Sequence, residues 1–422
     1  MLRMGTVIAL IFATILLEPY PFFMVAVADG AQHESSEEAS ATVSNWSFVK
    51  LKEKANGEEG PAWWQRHLAF SGDVRAALAV AIRGGRGGAN QTETLPVVRL
   101  RGGATVSPTP WLTGTARLAG FFDKEIDGLG FRLSHRRTIR SGDVTFDSLF
   151  LTLRPHELFT AKIGRLQTEG RPFELDSVVE DTLSRHDSSG FDVNWTDGVY
   201  LIIGRSSSFK LHLIGQLNPE DGPTNDVGIR GPVGFRGGAS RVTYYVGAEA
   251  PPLPPFTQLV ADVTIIPQAL RPFGLGTELK EDLVAFTVRA AADVALQAGT
   301  TPLTLHPSAE FGAMLSTPGE SVLGISTSHQ RAERFAFVAG LDLKPLGPGV
   351  LGFQFGWTQS GYLISPDYPN NAWSIEARYK VGIGRHVVWE ISYRHRQDIT
   401  TLVTAPKRET DDTIVARISL EF

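Results

Sequence analysis

Pairs of basic side chains two residues apart are the feature of this sequence best suited to chemistry. Arg99 with Arg101 and Arg378 with Lys380 are two such pairs. Because residues two apart lie on one face of a β-strand, each pair would present two positive charges together. The guanidinium group stays charged and its planar fork matches carboxylate and phosphate. This pattern predicts a surface that attracts anions and steers them along it.

Catalytic and metal-binding chemistry has little support in the sequence. Cys is absent, which removes thiolate metal ligands and cysteine nucleophiles. The ten histidines show neither a metal-ligand spacing nor a nucleophile-elbow glycine pattern. The glycine-rich stretch 83–90 has no Lys-Ser/Thr and no following helix, so we interpret it as a loop between strands. We expect no catalytic residue, no metal and no cofactor.

The elements that must carry the basic pairs are long β-strands. From Leu68 onward, seventeen segments alternate apolar and polar residues with period two, among them 283–296, 303–316, 320–330 and 333–344. Most reach ten residues or more. Strands of soluble proteins average about 5–6 residues, whereas a tilted membrane-spanning strand needs about 9–11. The lengths favour a transmembrane barrel.

The connections alternate between short and long, as in outer-membrane barrels with tight periplasmic turns and long extracellular loops. Seventeen strands would leave the two ends on opposite sides, so one segment is miscounted, and the alternation fails within 283–344. Residues 65–422 number 358, about 22 for each of sixteen strands and its connection. We therefore predict an all-β fold, a transmembrane antiparallel β-barrel of about 16 strands, with 18 as the alternative.

The last four strands show which face is which. Residues of one parity, such as Leu351, Trp373 and Trp389 with the terminal series from Ile414 to Phe422, are uncharged, while the other parity carries residues such as Glu376, Arg378 and Glu390. A lipid-facing Arg or Lys at mid-depth costs about 2–4 kcal/mol, so one face must be free of charge. A soluble β-sandwich also alternates and would bury the aromatic face instead.

Near strand ends, six aromatic residues suit a membrane–water interface: Trp357, Trp373, Tyr379, Trp389, Tyr393 and Phe422.

Three regions divide the chain. Residues 1–28 combine Arg3, an apolar run and a small-residue cleavage site, which is typical of a secretory signal peptide. Residues 29–64 are polar and predict a periplasmic segment, and 65–422 form the barrel. The formal net charge of -5 shows no basic excess of the kind that nucleic-acid binding requires. We predict export to the bacterial outer membrane.

A barrel of 16–18 strands is wide enough to hold an aqueous channel, and the inward parity then lines it. The basic side chains placed on this wall are Arg75, Arg99, Arg101, Arg117, Lys162, Lys210, Arg289, Arg378, Lys380, Arg394 and Arg417. Their number favours anions over cations. The alternative is that acids such as Glu376, Glu390 and Glu421 pair with them and only stiffen the wall.

The long connection 168–196 is the candidate constriction. Its acids include Glu169, Glu174, Asp176, Glu180, Asp181 and Asp187. Folded inward, they would face the basic wall and produce a non-selective pore with a field across it. Folded outward, they would leave the pore basic.

Three stretches of the sequence resemble known outer-membrane proteins. The terminal strand 413–422, which ends in Phe422, is similar to the C-terminal signature of bacterial outer-membrane barrels, which the barrel assembly machinery binds. The stretch "LFTAKIGRLQTEGRPFELD" (158–176) and "WTDGVYLIIG" (195–204) resemble phosphate-selective porins of the O and P type, through Gly164, Arg165, Pro172 and Phe173. The resemblance implies specificity for anions, including phosphate, and a porin of this size is compatible with a homotrimer, which no sequence feature fixes.

Together these observations predict a passive diffusion channel for small hydrophilic solutes, embedded in a lipid bilayer and preferring anions. The main alternative is a general porin with an acidic constriction loop. An outer-membrane barrel enzyme and a secreted soluble β-protein are the other classes.

Overall fold

A computed structural model describes residues 63–124, 130, 131, 141–166, 193, 195–205, 207–219, 232–235, 237–274, 278–298, 301–346, 348–364 and 370–422. The predicted signal peptide, nearly all of 29–64 and the six acids predicted for the constriction lie outside these residues. Helix α1 spans Trp63–His67, and a short 3₁₀ helix spans Gly238–Arg241.

Eighteen strands follow α1 in the described residues. The first nine are β1 Leu68–Gly84, β2 Asn90–Thr109, β3 Leu112–Asp123, β4 Gly130–Phe131, β5 Asp143–His156, β6 Phe159–Leu166, β7 Thr196–Gly204, β8 Lys210–Leu217 and β9 Val242–Glu249. The other nine are β10 Phe256–Leu270, β11 Glu281–Ala292, β12 Val294–Ala298, β13 Thr301–Met314, β14 Phe335–Leu346, β15 Gly349–Thr358, β16 Ala372–Ile383, β17 Val387–Asp398 and β18 Thr410–Glu421.

The sheet closes on itself, because β1 pairs antiparallel with both β2 and β18. Two of the eighteen strands do not count as separate members of the barrel. β4 has two residues and pairs in parallel with β5, and β11 and β12 run one after the other along β13 as a single interrupted strand. Eighteen minus two leaves sixteen barrel strands in the described chain. The predicted all-β, antiparallel, sixteen-strand barrel is confirmed.

The surplus predicted strand was 320–330, which forms turns within the connection from β13 to β14. It lies in the region where the alternation of connections had failed. Leu323 of this segment packs against the buried apolar cluster that includes Ile266, Leu283 and Met314, so the apolar spacing there did not reflect a strand.

Connections at the two ends of the barrel differ in length. At one end, called the short-turn end, they are 110–111, 157–158, 205–209, 250–255, 299–300, 347–348 and 384–386. At the other, the long-loop end, they are 85–89, 124–142, 167–195, 218–241, 271–280, 315–334, 359–371 and 399–409. β1 starts and β18 ends at the short-turn end.

The two faces of the sheet have opposite chemistry. Large apolar side chains point outward, with Phe353 47% and Ile375 45% exposed, while the polar Ser374 beside them points inward and is 1% exposed. Phe422 is 53% exposed, so the aromatic face is not a dry core between two stacked sheets. Among the described residues, no helix is both long and apolar enough to span a membrane.

Candidate functional site: the inner wall

Four arginines and two aspartates on β1, β2, β3 and β5 form the first inward-facing group, called here the arginine cluster. Its members are Asp73, Arg75, Arg99, Arg101, Arg117 and Asp147. Arg99 Nη2 donates to Asp73 Oδ1 at 3.0 Å, and Arg75 Nε lies 3.7 Å from the same oxygen. Four positive charges and two carboxylates thus lie together in the cluster, and a third carboxylate, buried Asp143, lies on the same face of β5.

Asp147 of the cluster lies at a register shift between β3 and β5. The register between β3 and β5 shifts at Arg117, so that Asp147 has no cross-strand partner. At this β-bulge both Asp147 and Ser148 are buried, and Asp147 keeps the inward parity of Asp143 and Thr145. Arg117 Nε and Nη2 donate to it at 2.9 Å each, and Arg101 Nε lies at 2.8 Å. One buried carboxylate therefore fixes two arginines.

A second group of paired charges lies on β14, β16, β17 and β18. Glu390 accepts from Arg417 Nη2 at 2.8 Å and lies 3.5 Å from Lys380 Nζ. Arg378 Nη2 lies 3.4 Å from Asp342 Oδ1, and Arg394 stands opposite Glu376 in the register of β16 and β17. Each of these predicted pore-lining bases thus has an acidic neighbour.

A third group lies on β10, β11 and β13, where a single arginine meets two acids. The Arg289 side chain pairs with Asp262, and its Nε lies 3.5 Å from Glu310 Oε2. All three side chains are nearly fully buried. Because one guanidinium is set between two carboxylates, this group is formally negative.

Lys210 belongs to a hydrogen-bonded chain on β7, β8 and β9. Lys210 Nζ donates to Glu249 Oε1 at 2.9 Å, and Glu249 Oε2 lies 3.2 Å from His212 Nε2. The other ring nitrogen of His212 lies 2.8 Å from the Tyr200 hydroxyl. The ammonium of Lys162 lies 5.7 Å from the ring centres of both Phe150 and Tyr200, a cation–π arrangement.

The positive and negative groups face each other across the barrel. Strands eight positions apart lie opposite in a closed sheet of sixteen, which sets β2, β3 and β5 against β11, β13 and β14. The arginine cluster therefore faces the wall that carries Asp262, Glu310 and Asp342 with Arg289. Opposed charge surpluses on low-dielectric walls create a field across the lumen.

Ion pairs also tie the seam of the barrel together at the long-loop end. Arg86, in the connection 85–89, donates to both carboxylate oxygens of Asp398 at 2.7 and 3.0 Å. This bidentate bond raises the pKa of Arg86. Arg83 lies 3.5 Å from Asp411, and Arg396 lies at the same distance from that carboxylate. The first strand is thereby linked to the last two.

Only the end of the predicted constriction loop is described. Trp195 is fully buried, and it packs with Val193 against Ala119 and Phe121 of the inner wall. The guanidinium of Arg165 lies 4.6 Å from the Trp195 ring centre. This end of the connection therefore enters the barrel, while Glu169, Glu174, Asp176, Glu180, Asp181 and Asp187 lie outside the described residues.

Gly164, part of the stretch that resembles phosphate-selective porins, has a clear backbone role. Its φ is +131°, a conformation that side chains disfavour. A Cβ there would also overlap the carbonyl of Leu149 on β5. Glycine at this position thus reflects close approach of two strands.

All six aromatic residues predicted for the girdle have outward parity, as the pairing of β15 to β18 shows. Trp357 and Trp373 pair near the long-loop end, and Trp389 and Phe422 lie near the short-turn end. Three exposed tryptophans, which the sequence reasoning missed, lie at the short-turn end: Trp63, Trp64 and Trp111. The alternation rule could not find them, because they lie before or between strands.

One outward polar group was also missed. Asp412 on β18 accepts from the Tyr393 hydroxyl at 2.8 Å and lies 2.8 Å from His395 Nδ1. The rings of His395 and Trp373 lie 5.2 Å apart. The carboxylate is thereby satisfied on a face that is otherwise apolar.

Within the described ranges, no three His, Cys, Asp or Glu side chains are placed to hold a metal ion.

Sequence comparison finds no matching family model and no similar curated protein. The fold, however, is shared with solved outer-membrane channel structures. Pseudomonas putida OprB at high pH is 11% identical with a TM-score of 0.55, over 85% of this chain and 95% of that one.

Two further structures have comparable similarity. An anion-selective porin from Comamonas acidovorans is 10% identical with a TM-score of 0.51, over 84% of this chain and 100% of that one. Salmonella typhi OmpF in complex with daunomycin is 10% identical with a TM-score of 0.50, over 84% of this chain and 97% of that one. At these identities the likeness shows the shared barrel fold.

Proposed function

We propose that this protein is a passive diffusion channel of a bacterial outer membrane for small hydrophilic solutes. The observation that carries the proposal is the inverted distribution of polarity. Buried arginines and carboxylates line the inside of a closed sheet, whereas leucine, isoleucine, valine and phenylalanine cover its outside. Lipid requires such an apolar surface, and a closed sheet leaves no unpaired strand edge in hydrocarbon.

The selectivity proposed is a modest preference for anions. Its support is the arginine cluster, in which four bases pair with Asp73 and Asp147 and still outnumber the acids when buried Asp143 on the same face is counted. Acids that pair with bases elsewhere on the wall limit the attraction of anions. We therefore expect a preference for anions and not the exclusion of cations. Phosphate is the anion that the family resemblance implies.

The test is the reversal potential of the purified protein in planar bilayers under a KCl gradient. We expect a reversal potential with the sign of a chloride preference. Added phosphate should reduce the current. A strong cation preference would overturn the anion proposal and favour the general porin with an acidic constriction. A protein that inserts but does not conduct would overturn the channel itself.

The remaining proposals concern location and assembly. We propose export by a cleaved signal peptide, insertion by the barrel assembly machinery through the C-terminal strand, and a homotrimeric channel. Detergent should be needed to extract the protein from envelopes, and N-terminal sequencing of the mature chain should start near Asp29. Release by salt alone would favour a secreted soluble protein.

Chemical cross-linking in detergent should trap three copies, and a ladder that ends at one copy would overturn the trimer.

A further inference from the structure

The long-loop end of the barrel contains a dry apolar cluster that the channel proposal does not explain. Connections 315–334 and 359–364, together called the cap, fold over the inner wall of β10, β11, β13 and β14. Tyr362 and Leu363 of the cap pack with Ile266, Leu283, Met314 and Val338. These four wall residues have the inward parity of Arg289 and Glu310. The cap therefore occupies space within the barrel.

Two glycines permit the close fit of the cap. A Cβ on Gly312 of β13 would overlap the ring of Tyr362, and a Cβ on Gly361 would overlap the carbonyl of Glu333. Tyr362 is 1% exposed. Since interiors of this kind pack without voids, the Tyr362 ring is fixed against the bare backbone of β13.

Hydrogen bonds join the cap to its neighbours. One backbone bond joins the two parts of the cap, from Gly361 N–H to Glu333 O at 2.7 Å, and two link the cap to other connections: Gly319 N–H to Pro272 O at 2.9 Å and Val403 N–H to Gly324 O at 2.7 Å. The Arg331 guanidinium also pairs with Glu281 of β11 at 2.6 Å. Links to two other connections and one strand are typical of a fixed element rather than a hinged lid.

We propose that the cap is a fixed constriction that sets the largest solute the channel admits, with Tyr362 as its anchor. The proposal rests on the channel function proposed above. Because the cap fills the side of β10 to β14, it displaces the aqueous path toward the opposite wall, where Arg75 and Arg117 of the arginine cluster are partly exposed. Charges act strongly within about one Debye length, roughly 8–10 Å at moderate salt. The cap should therefore strengthen selectivity while it lowers conductance.

The first test compares Tyr362→Ala with the full-length channel in planar bilayers and in liposomes that contain neutral sugars of increasing size. We expect higher single-channel conductance, entry of larger sugars and a reversal potential closer to zero. Tyr244→Ala is the matched control, because Tyr244 is 48% exposed on the outward face of β9. It should change none of the three.

A folded Tyr362→Ala channel with unaltered conductance and sugar limit would overturn the cap proposal and leave the channel proposal intact. An unmodified protein that inserts and does not conduct would overturn both. The two failures are therefore distinguishable.

A second variant keeps the cap intact and tests whether it moves. Ile325→Cys with Val403→Cys places the only two cysteines of the chain beside the backbone hydrogen bond that joins the cap to connection 399–409, and avoids Gly324, whose φ of +70° disfavours a side chain. A fixed cap predicts equal conductance and equal open probability before and after oxidation. A fall in either on oxidation would show that the cap opens, and would overturn the fixed constriction.

Discussion

At the scale of single residues, the inner wall depends on carboxylates shared between arginines. Asp147 is the extreme case, with a fully buried side chain that bonds two guanidinium groups. Alternation with Asp143 and Thr145 places it on the inward face, but the register shift beside it, and therefore its two arginine partners, cannot be read from the sequence. The basic residues could be placed on one face from the sequence, but their partners required the register of the strands.

Asp147→Asn tests that dependence. The substitution leaves Arg101 and Arg117 without their shared negative charge in a buried site, and breaking a buried pair typically costs about 3–5 kcal/mol. We expect a clear fall in the midpoint of thermal unfolding in detergent, followed by circular dichroism. Glu157→Gln is the control, since Glu157 pairs with Arg205 on an exposed turn, where a pair contributes at most about 1 kcal/mol. Equal midpoints for the two variants would contradict the structural role of Asp147.

Neutralising bases on the wall should alter selectivity rather than stability alone. The triple variant Arg378→Gln, Lys380→Gln and Arg394→Gln removes three positive charges and leaves Asp342, Glu376 and Glu390 on the same wall. We expect the reversal potential in a KCl gradient to shift toward cations.

The control for this prediction removes the same number of charges from exposed connections, as Lys280→Gln, Arg385→Gln and Arg408→Gln. Distant exposed charges are screened by salt, so the control should shift the potential less. An equal shift would contradict a role for the wall and attribute the preference to the surface.

At the scale of elements, period-two alternation was sufficient to find every barrel strand, because each strand separates an apolar face from a polar one. It failed where the loop 315–334 carries its own apolar residues, which pack in the cap and not in the sheet. The same limit explains why the cap was missed. Tyr362 and Leu363 follow a strand in sequence, and nothing local shows that their loop turns inward.

Adjacent positions on β15 give a direct test of the two faces. Phe353 points outward and is 47% exposed, whereas Gln354 points inward opposite Glu376. If the outward face meets lipid, Phe353→Arg near mid-strand costs about 2–4 kcal/mol and should reduce the yield of folded protein. Gln354→Arg should fold normally and shift the reversal potential toward anions. The reverse ranking of folded yields, measured by heat-modifiable mobility on gels, would contradict the assignment of the faces.

At the scale of the whole molecule, the barrel depends on one seam between the first and last strands. β1 and β18 pair from Asp73 with Glu421 up to Gly84 with Thr410. Phe422 extends this pairing, because Gly72 N–H donates to Phe422 O at 2.8 Å and Phe422 N–H donates to Gly72 O at 3.0 Å. The ring lies over Gly72, where a Cβ would be 2.6 Å from its edge. A terminal aromatic residue thus contributes to closure as well as to any signal it carries.

Two variants separate the backbone from the ring in this closure. Deletion of Phe422 removes both hydrogen bonds and the ring, while Phe422→Ala removes the ring alone. Refolding from denaturant into detergent, with no assembly machinery present, should give the lowest yield of compact barrel for the deletion and an intermediate yield for the alanine variant. Since the pairing of β1 with β18 closes the sheet and a sheet in lipid must be closed, loss of its end should impair closure without preventing the other strands from pairing. If both variants refold in detergent with the yield of the unmodified protein but insert poorly in cells, a role of Phe422 in closure is contradicted. Phe422 would then act only in recognition by the assembly machinery.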